Sequence, residues 1–296
     1  MTDTPLFDRP FILSMGPQRA GTSWLDRYLR ERGDICMPHD VKEIFFFDRN
    51  YDRGDAFYTS HFHPQPQHRA IMEVSTTSFD EKDAPANVFK TFGEHVTLLC
   101  PLRHPVARSY SLYLHYKRYG MTSATLQQAC RDIPQILESS HYTRHLKQWM
   151  TYYPLEKMHI IFQEDLEDNC DEYVDQVCRI LDLPPMPISA EVKGRYNQTT
   201  RAPIPALAKM AQKGADFLRR HKLYGPINAA KAIGLKQVIF GRGGEGGRDD
   251  LDQVRNEDIA WLHGQLSDEI GKLETLLGRR IDQWHADIAD HSKMTG

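Results

Sequence analysis

The sequence predicts an α/β protein: a mostly parallel β-sheet flanked by helices, followed by a helical C-terminal extension. Three observations predict it. Short apolar runs bounded by turn residues alternate with amphipathic stretches over residues 1–183. A glycine-bearing loop joins the first run to the first helical stretch. Beyond Pro184 the texture turns proline-rich and polar, and no convincing strand follows.

Phe11 to Met15 is apolar and breaks at Gly16-Pro17, as a buried strand does. Trp24, Leu25, Tyr28 and Leu29 then form one helical stripe, closed by Gly33. Ile71 to Val74 reads as a strand and the segment near Pro85–Phe92 as a helix. His95 to Cys100 is the next strand, followed by a helix from Pro105 to about Tyr119. Met158 to Phe162 is a third buried run, and Leu166 to Leu183 is amphipathic. Helices are expected near 206–222 and 255–277, with a glycine-rich loop at 240–250. The expected organisation is one domain over 1–296, with an α/β nucleotide-binding core at 1–183 and a mostly helical extension at 184–296.

Composition narrows the function. The 296 residues carry 37 Lys plus Arg against 40 Asp plus Glu, a formal net charge of −3, which speaks against a nucleic-acid binder. No apolar run reaches the length of a membrane span, and the N-terminus lacks the pattern of a signal peptide. Cys36, Cys100, Cys130, Cys170 and Cys178 are odd in number and scattered, as in a reduced, cytoplasmic protein. Oligomeric state leaves no trace in the sequence.

The segment Gly16-Pro17-Gln18-Arg19-Ala20-Gly21-Thr22-Ser23 has P-loop spacing, with Thr22 where a nucleotide kinase would carry lysine. Backbone amides and a helix N-terminus can still cradle an anion there, with Arg19 supplying positive charge. A second constellation follows the His95 strand. Arg103 stands at its carboxyl end and Ser111 one to two turns into the next helix, sharing a face with His115. Such a pair can grip one phosphate at the sheet edge where α/β proteins bind ligands.

In order along the chain, GPQRAGTSWL (16–25), KEIFFFDRNYDRG (42–54), EVSTTSF (73–79), LRHPVARSYSLYLH (102–115) and HYTRHLKQWMTYYP (141–154) resemble the sulfotransferases that use 3′-phosphoadenosine 5′-phosphosulfate. The likeness is strongest to the heparan sulfate sulfotransferase branch and its soluble bacterial relatives. It implies that Pro17 to Trp24 (Pro17, Gln18, Arg19, Ala20, Gly21, Thr22, Ser23, Trp24) bind the 5′-phosphosulfate. By the same likeness Arg19 replaces the usual lysine, and Arg103 and Ser111 hold the 3′-phosphate. Glu43 matches the family's general base. His115 matches an active-site histidine, either donating to the sulfuryl oxygens or orienting the acceptor. Arg248 resembles the arginine of the family's C-terminal cofactor loop. Val74 and Gly246 replace lysines of the heparan enzymes, which speaks against a polyanionic glycan acceptor; Arg242 is a candidate to restore one charge.

No metal is expected, because a sulfuryl group carries less charge than a γ-phosphate. The acceptor is expected to be a small molecule, a lipid or a saccharide. Tyr58, Phe62, Trp149, Tyr152 and Tyr153 suggest aromatic surface at the cleft mouth. Two alternatives stand beside this reading: a P-loop small-molecule kinase, and a nucleotide-binding scaffold without turnover. Three other patterns are set aside. Gly241 to Gly246 matches G-x-G-x-x-G but opens no apolar helix; His61, His63 and His68 are interrupted by prolines; and Glu164-Asp165 reads as an N-capping loop.

Overall fold

Strand alternation sorts the core onto two faces of one sheet. The computed structural model describes residues 6–194 and 255–285. Among them, β1 (Phe11–Ser14), β2 (Ile35–Cys36), β3 (Ala70–Val74), β4 (Val96–Leu102) and β5 (Met158–Phe162) pair in the order β2-β3-β1-β4-β5, all parallel. Phe11 and Leu13 of β1, with Leu98, Cys100 and Leu102 of β4, face an aromatic-rich cluster. Ile12 and Leu99 face the opposite way, toward Trp24, Leu25, Tyr28 and Leu29. Successive side chains point to opposite faces, so a sheet covered on both sides reads as a continuous apolar run.

The helices follow the chain as α1 (Thr22–Arg32), α2 (Phe46–Arg49), α3 (Gly54–Thr59), α4 (Ala84–Phe92) and α5 (Pro105–Arg118). Then come α6 (Leu126–Asp132), α7 (Gln135–Glu138), α8 (Tyr142–Trp149), α9 (Gln163–Asp168), α10 (Cys170–Ile180) and α11 (Ala190–Gly194). Helices α12 (Asn256–Gln265) and α13 (Glu269–Leu277) complete the described residues. Gly33 ends α1 in the left-handed conformation that its sequence position predicts.

Two predicted helices are each divided. The 166–183 stretch breaks at Asn169, whose extended backbone and side-chain acceptor for Glu172 N cap a fresh helix. The 255–277 stretch breaks at Leu266 to Asp268. Strand β2 escaped prediction because two residues carry no period. The predicted 206–222 helix and the 240–250 loop lie outside the described residues. No helix among the described residues is long and apolar enough to cross a membrane. All five cysteines are unpaired.

Strand order positions the site. The chain leaves β1 for one side of the sheet and, after β3, crosses to β4 on the other. The carboxyl ends of β1 and β4 therefore feed connections that diverge, opening a crevice at the switch point. Helix α13 and Trp284 return to this sheet, packing with Phe162 and Met158 in the aromatic-rich cluster.

Candidate active site

The loop between β1 and α1 is pressed onto β4. Met15 N donates to Leu99 O at 2.9 Å, and a Cβ on Gly16 would meet Pro101 O at 2.1 Å. Arg19 (φ 72°) and Gly21 (φ 78°) are left-handed and curl the chain into the helix. The first helical donors are Trp24 N and Leu25 N, both to Gly21 O. The amides ahead of them precede the α1 ladder and face the positive end of its dipole. Pro17, Ala20 and Thr22 are buried, Gln18 is half-buried and Ser23 is exposed. Trp24 Nε1 donates to Val192 O at 3.1 Å, fixing the first turn of α1 to α11.

Arginines converge on this loop. Arg19 Nε donates to Ser111 Oγ at 2.9 Å, which joins the loop to α5. Burial, then the neighbouring charges of Arg103 and Arg118, push the Arg19 pKa down to about 10. The guanidinium stays charged at neutral pH, so the crowding measures a positive field that an anion would relieve. Arg103 is fully buried at the end of β4, with its carbonyl accepting from Tyr142 OH at 2.7 Å. His115, one turn beyond Ser111, has its pKa pushed down to about 3 by burial and by Arg19 and Arg118. Its imidazole is neutral at physiological pH and offers one N–H.

The segment of Glu43 reaches the start of α1 from another side, through Lys42. The Glu43 carboxylate accepts from Thr76 Oγ1 at 2.7 Å, and Lys42 Nζ lies 3.6 Å from its other oxygen. Lys42 Nζ also donates to Ser23 Oγ at 3.1 Å, so one ammonium links the Glu43 segment to the start of α1. Glu73 on β3 is fully buried and fixes that segment: it accepts from Ile44 N at 3.0 Å and from Tyr58 OH at 2.8 Å. Burial raises the Glu73 pKa to about 8 against the lowering effect of these donors.

The aromatic and Glu164 expectations need correction, and the other residues singled out find their places. Tyr58, Phe62, Trp149 and Tyr153 are buried in the aromatic-rich core, and Tyr152 alone of the five is exposed. Tyr58 packs against Phe46 and Phe47 at ring distances of 4.5 and 5.2 Å, so these rings build the wall's foundation rather than its surface. Glu164 is no loop cap. It lies in the first turn of α9, buried, accepting from His104 N at 2.8 Å and Trp284 Nε1 at 2.9 Å. His61, His63 and His68 occupy three settings: His61 Nδ1 is 3.0 Å from Asp40, His63 lies against His39, and His68 Nδ1 accepts from Gln65 N. Val74 is closed into the core on the α1 face of β3. Arg248, Arg242 and Gly246 lie outside the described residues. Sequence reasoning gave no role to Lys42, Glu73 or Thr76, although each stands inside a motif it quoted; the polar residues flanking Glu43 and ending β3 were the available signal.

The sequence profile of the sulfotransferase domain family matches residues 9–220. The chain belongs to the sulfotransferase domain family. It is 28% identical over 209 residues to the bifunctional heparan sulfate N-deacetylase/N-sulfotransferase of Drosophila melanogaster, covering 60% of this chain and 20% of that protein. It is 27% identical over 189 residues to heparan sulfate glucosamine 3-O-sulfotransferase 5 of Mus musculus, covering 60% of this chain and 54% of that one. The chain thus spans from a fifth to about half the length of these curated relatives. A sulfotransferase structure from Alicyclobacillus acidocaldarius superposes with a TM-score of 0.62 at 17% identity, covering 94% of this chain and all of that one. The likeness is one of fold; in this chain the Arg19–Ser111 contact stands beside the β1–β4 switch point.

Proposed function

We propose that this chain transfers a sulfuryl group from 3′-phosphoadenosine 5′-phosphosulfate to a hydroxyl or amine, with Glu43 as general base. The observation that carries the reading is the 2.9 Å contact from Arg19 to Ser111, which unites the loop and the Arg103–α5 corner in one basic crevice. The residues present suit a donor with anions at both ends of its adenosine: pre-ladder amides at the loop, and guanidiniums that repel one another without a guest. When bound, that donor supplies the activated S–O bond and a bisphosphate leaving group.

The chain's own groups then divide the work. Loop amides with Arg19 bind the 5′ end, while Arg103 and Ser111 bind the 3′-phosphate. Glu43, oriented by Thr76, takes the acceptor's proton, a contribution typically of about 10²–10⁴-fold. Neutral His115 donates one N–H toward the sulfuryl oxygens or orients the acceptor. Positioning and electrostatics carry most of the barrier lowering, as in phosphoryl transfer. The acceptor's class, whether small molecule, lipid or saccharide, is set by the surface around Glu43.

Calorimetry with adenosine 3′,5′-bisphosphate against Mg²⁺-ATP tests the reading. The bisphosphate is expected to bind more tightly, and Glu43→Gln to keep that affinity while losing at least a hundredfold in transfer. Tighter binding of Mg²⁺-ATP would replace this proposal with a kinase.

A further inference from the structure

We propose that Lys42 is a catalytic residue whose ammonium holds the transferred sulfuryl group and then follows the charge onto the departing phosphate. The inference deepens the sulfotransfer reading and rests on it. Arg19 commits its Nε to Ser111 and lies in the fields of Arg103 and Arg118, toward the α5 side of the crevice. On the side facing the base, positive charge arrives from another segment. Lys42 Nζ stands 3.1 Å from Ser23 Oγ, at the start of α1, and 3.6 Å from Glu43 Oε1. A group entering between the loop and the base meets this ammonium.

The segment carrying Lys42 is well fixed. Ile44 N is held by buried Glu73, and Asn50 Nδ2 donates to Ile44 O and Phe45 O at 3.3 and 3.0 Å. The lysine side chain itself remains 30% exposed, so its four-carbon stem can swing while its anchor stays still. Buried Arg103 has no such freedom.

The reaction gives that freedom a use. The acceptor's proton passes to Glu43 as the acceptor atom bonds to sulfur. The bond from sulfur to the bridging oxygen breaks, and its electron pair stays on the 5′-phosphate. Glu43 becomes neutral at the moment the bridging oxygen becomes negative. Lys42 thereby loses its carboxylate partner and gains a phosphate oxygen, and the attraction moves with the charge.

The test is calorimetry on the full chain without acceptor, using 3′-phosphoadenosine 5′-phosphosulfate and adenosine 3′-monophosphate as probes. Lys42→Met should weaken the phosphosulfate at least tenfold and the monophosphate less than twofold. Lys42→Arg should restore most of the loss, with unfolding midpoints unchanged for both variants. Unchanged affinity for both probes would reduce Lys42 to a surface ion pair and overturn the inference, as would equal weakening of both. Arg103→Ala separates this failure from failure of the underlying reading. If it weakens both probes in an otherwise wild-type chain, the donor site stands whatever Lys42 does. If the wild-type chain binds neither probe, the sulfotransfer reading falls and takes Lys42 with it.

Discussion

A carboxyl removed from water must find donors or keep its proton, and Glu73 is placed to do both. Ile44 N and Tyr58 OH serve its two oxygens, yet burial still lifts its pKa from 4.5 to about 8. The sign of the consequence follows from proton counting. Between pH 4.5 and 8 the unfolded chain releases this proton while the native chain retains it, so stability falls as pH rises across that window and levels off above it. The loss is on the order of a few kcal/mol. Glu73→Gln should flatten this part of the profile, which urea midpoints at pH 5 and pH 8 would show in both proteins; a wild-type profile no steeper than the variant's would contradict the raised pKa. The same carboxyl steadies the peptide after Glu43, so its ionisation bears on the setting of Glu43 as well as on the fold.

At the scale of elements, the turn after β1 depends on a missing methyl. Gly16→Ala would put a Cβ 2.1 Å from Pro101 O, a backbone atom that cannot swing away. The turn must lift off β4, carrying its amides out of alignment. We expect a destabilisation of about 1–3 kcal/mol, typical of overpacking, and loss of bisphosphate binding, read by denaturant melts and calorimetry on the same preparation. Much at this scale was legible beforehand. Short apolar runs bounded by turn residues announced β1, β3, β4 and β5, and the glycine spacing announced the turn between β1 and α1. What stayed hidden had physical causes. Two-residue β2 is too short to show a period, Asn169 breaks a helix by local capping that an apolar stripe does not register, and the aromatic residues at 57–62 and 149–153 were read as surface because a sequence does not say which rings find one another. Arg19 and Ser111 stood out in the sequence as separate candidates; their contact, 92 positions apart, did not.

At the scale of the whole molecule, the far end of the described chain meets the corner where β4 turns into α5. Trp284 Nε1 and His104 N share the two oxygens of Glu164, and His104 directly follows Arg103. Glu269 accepts from Thr143 N at 2.7 Å and lies 3.6 Å from His141, docking α13 beside α8. Trp284→Ala removes a buried indole and one of the donors to a buried carboxyl. It should cost about 3–5 kcal/mol and weaken the bisphosphate several-fold through Arg103, measured by melting and calorimetry; unchanged affinity in a folded variant would disconnect the tail from the clamp.

That indole gives the protein a sense of completion. The turn after β1 lies within the first few dozen residues, but the indole that backs the arginine corner stands far along the chain, at position 284. A chain cut before Trp284 would keep that turn yet leave one oxygen of buried Glu164 without its indole donor, one residue's reach from Arg103 through His104 N.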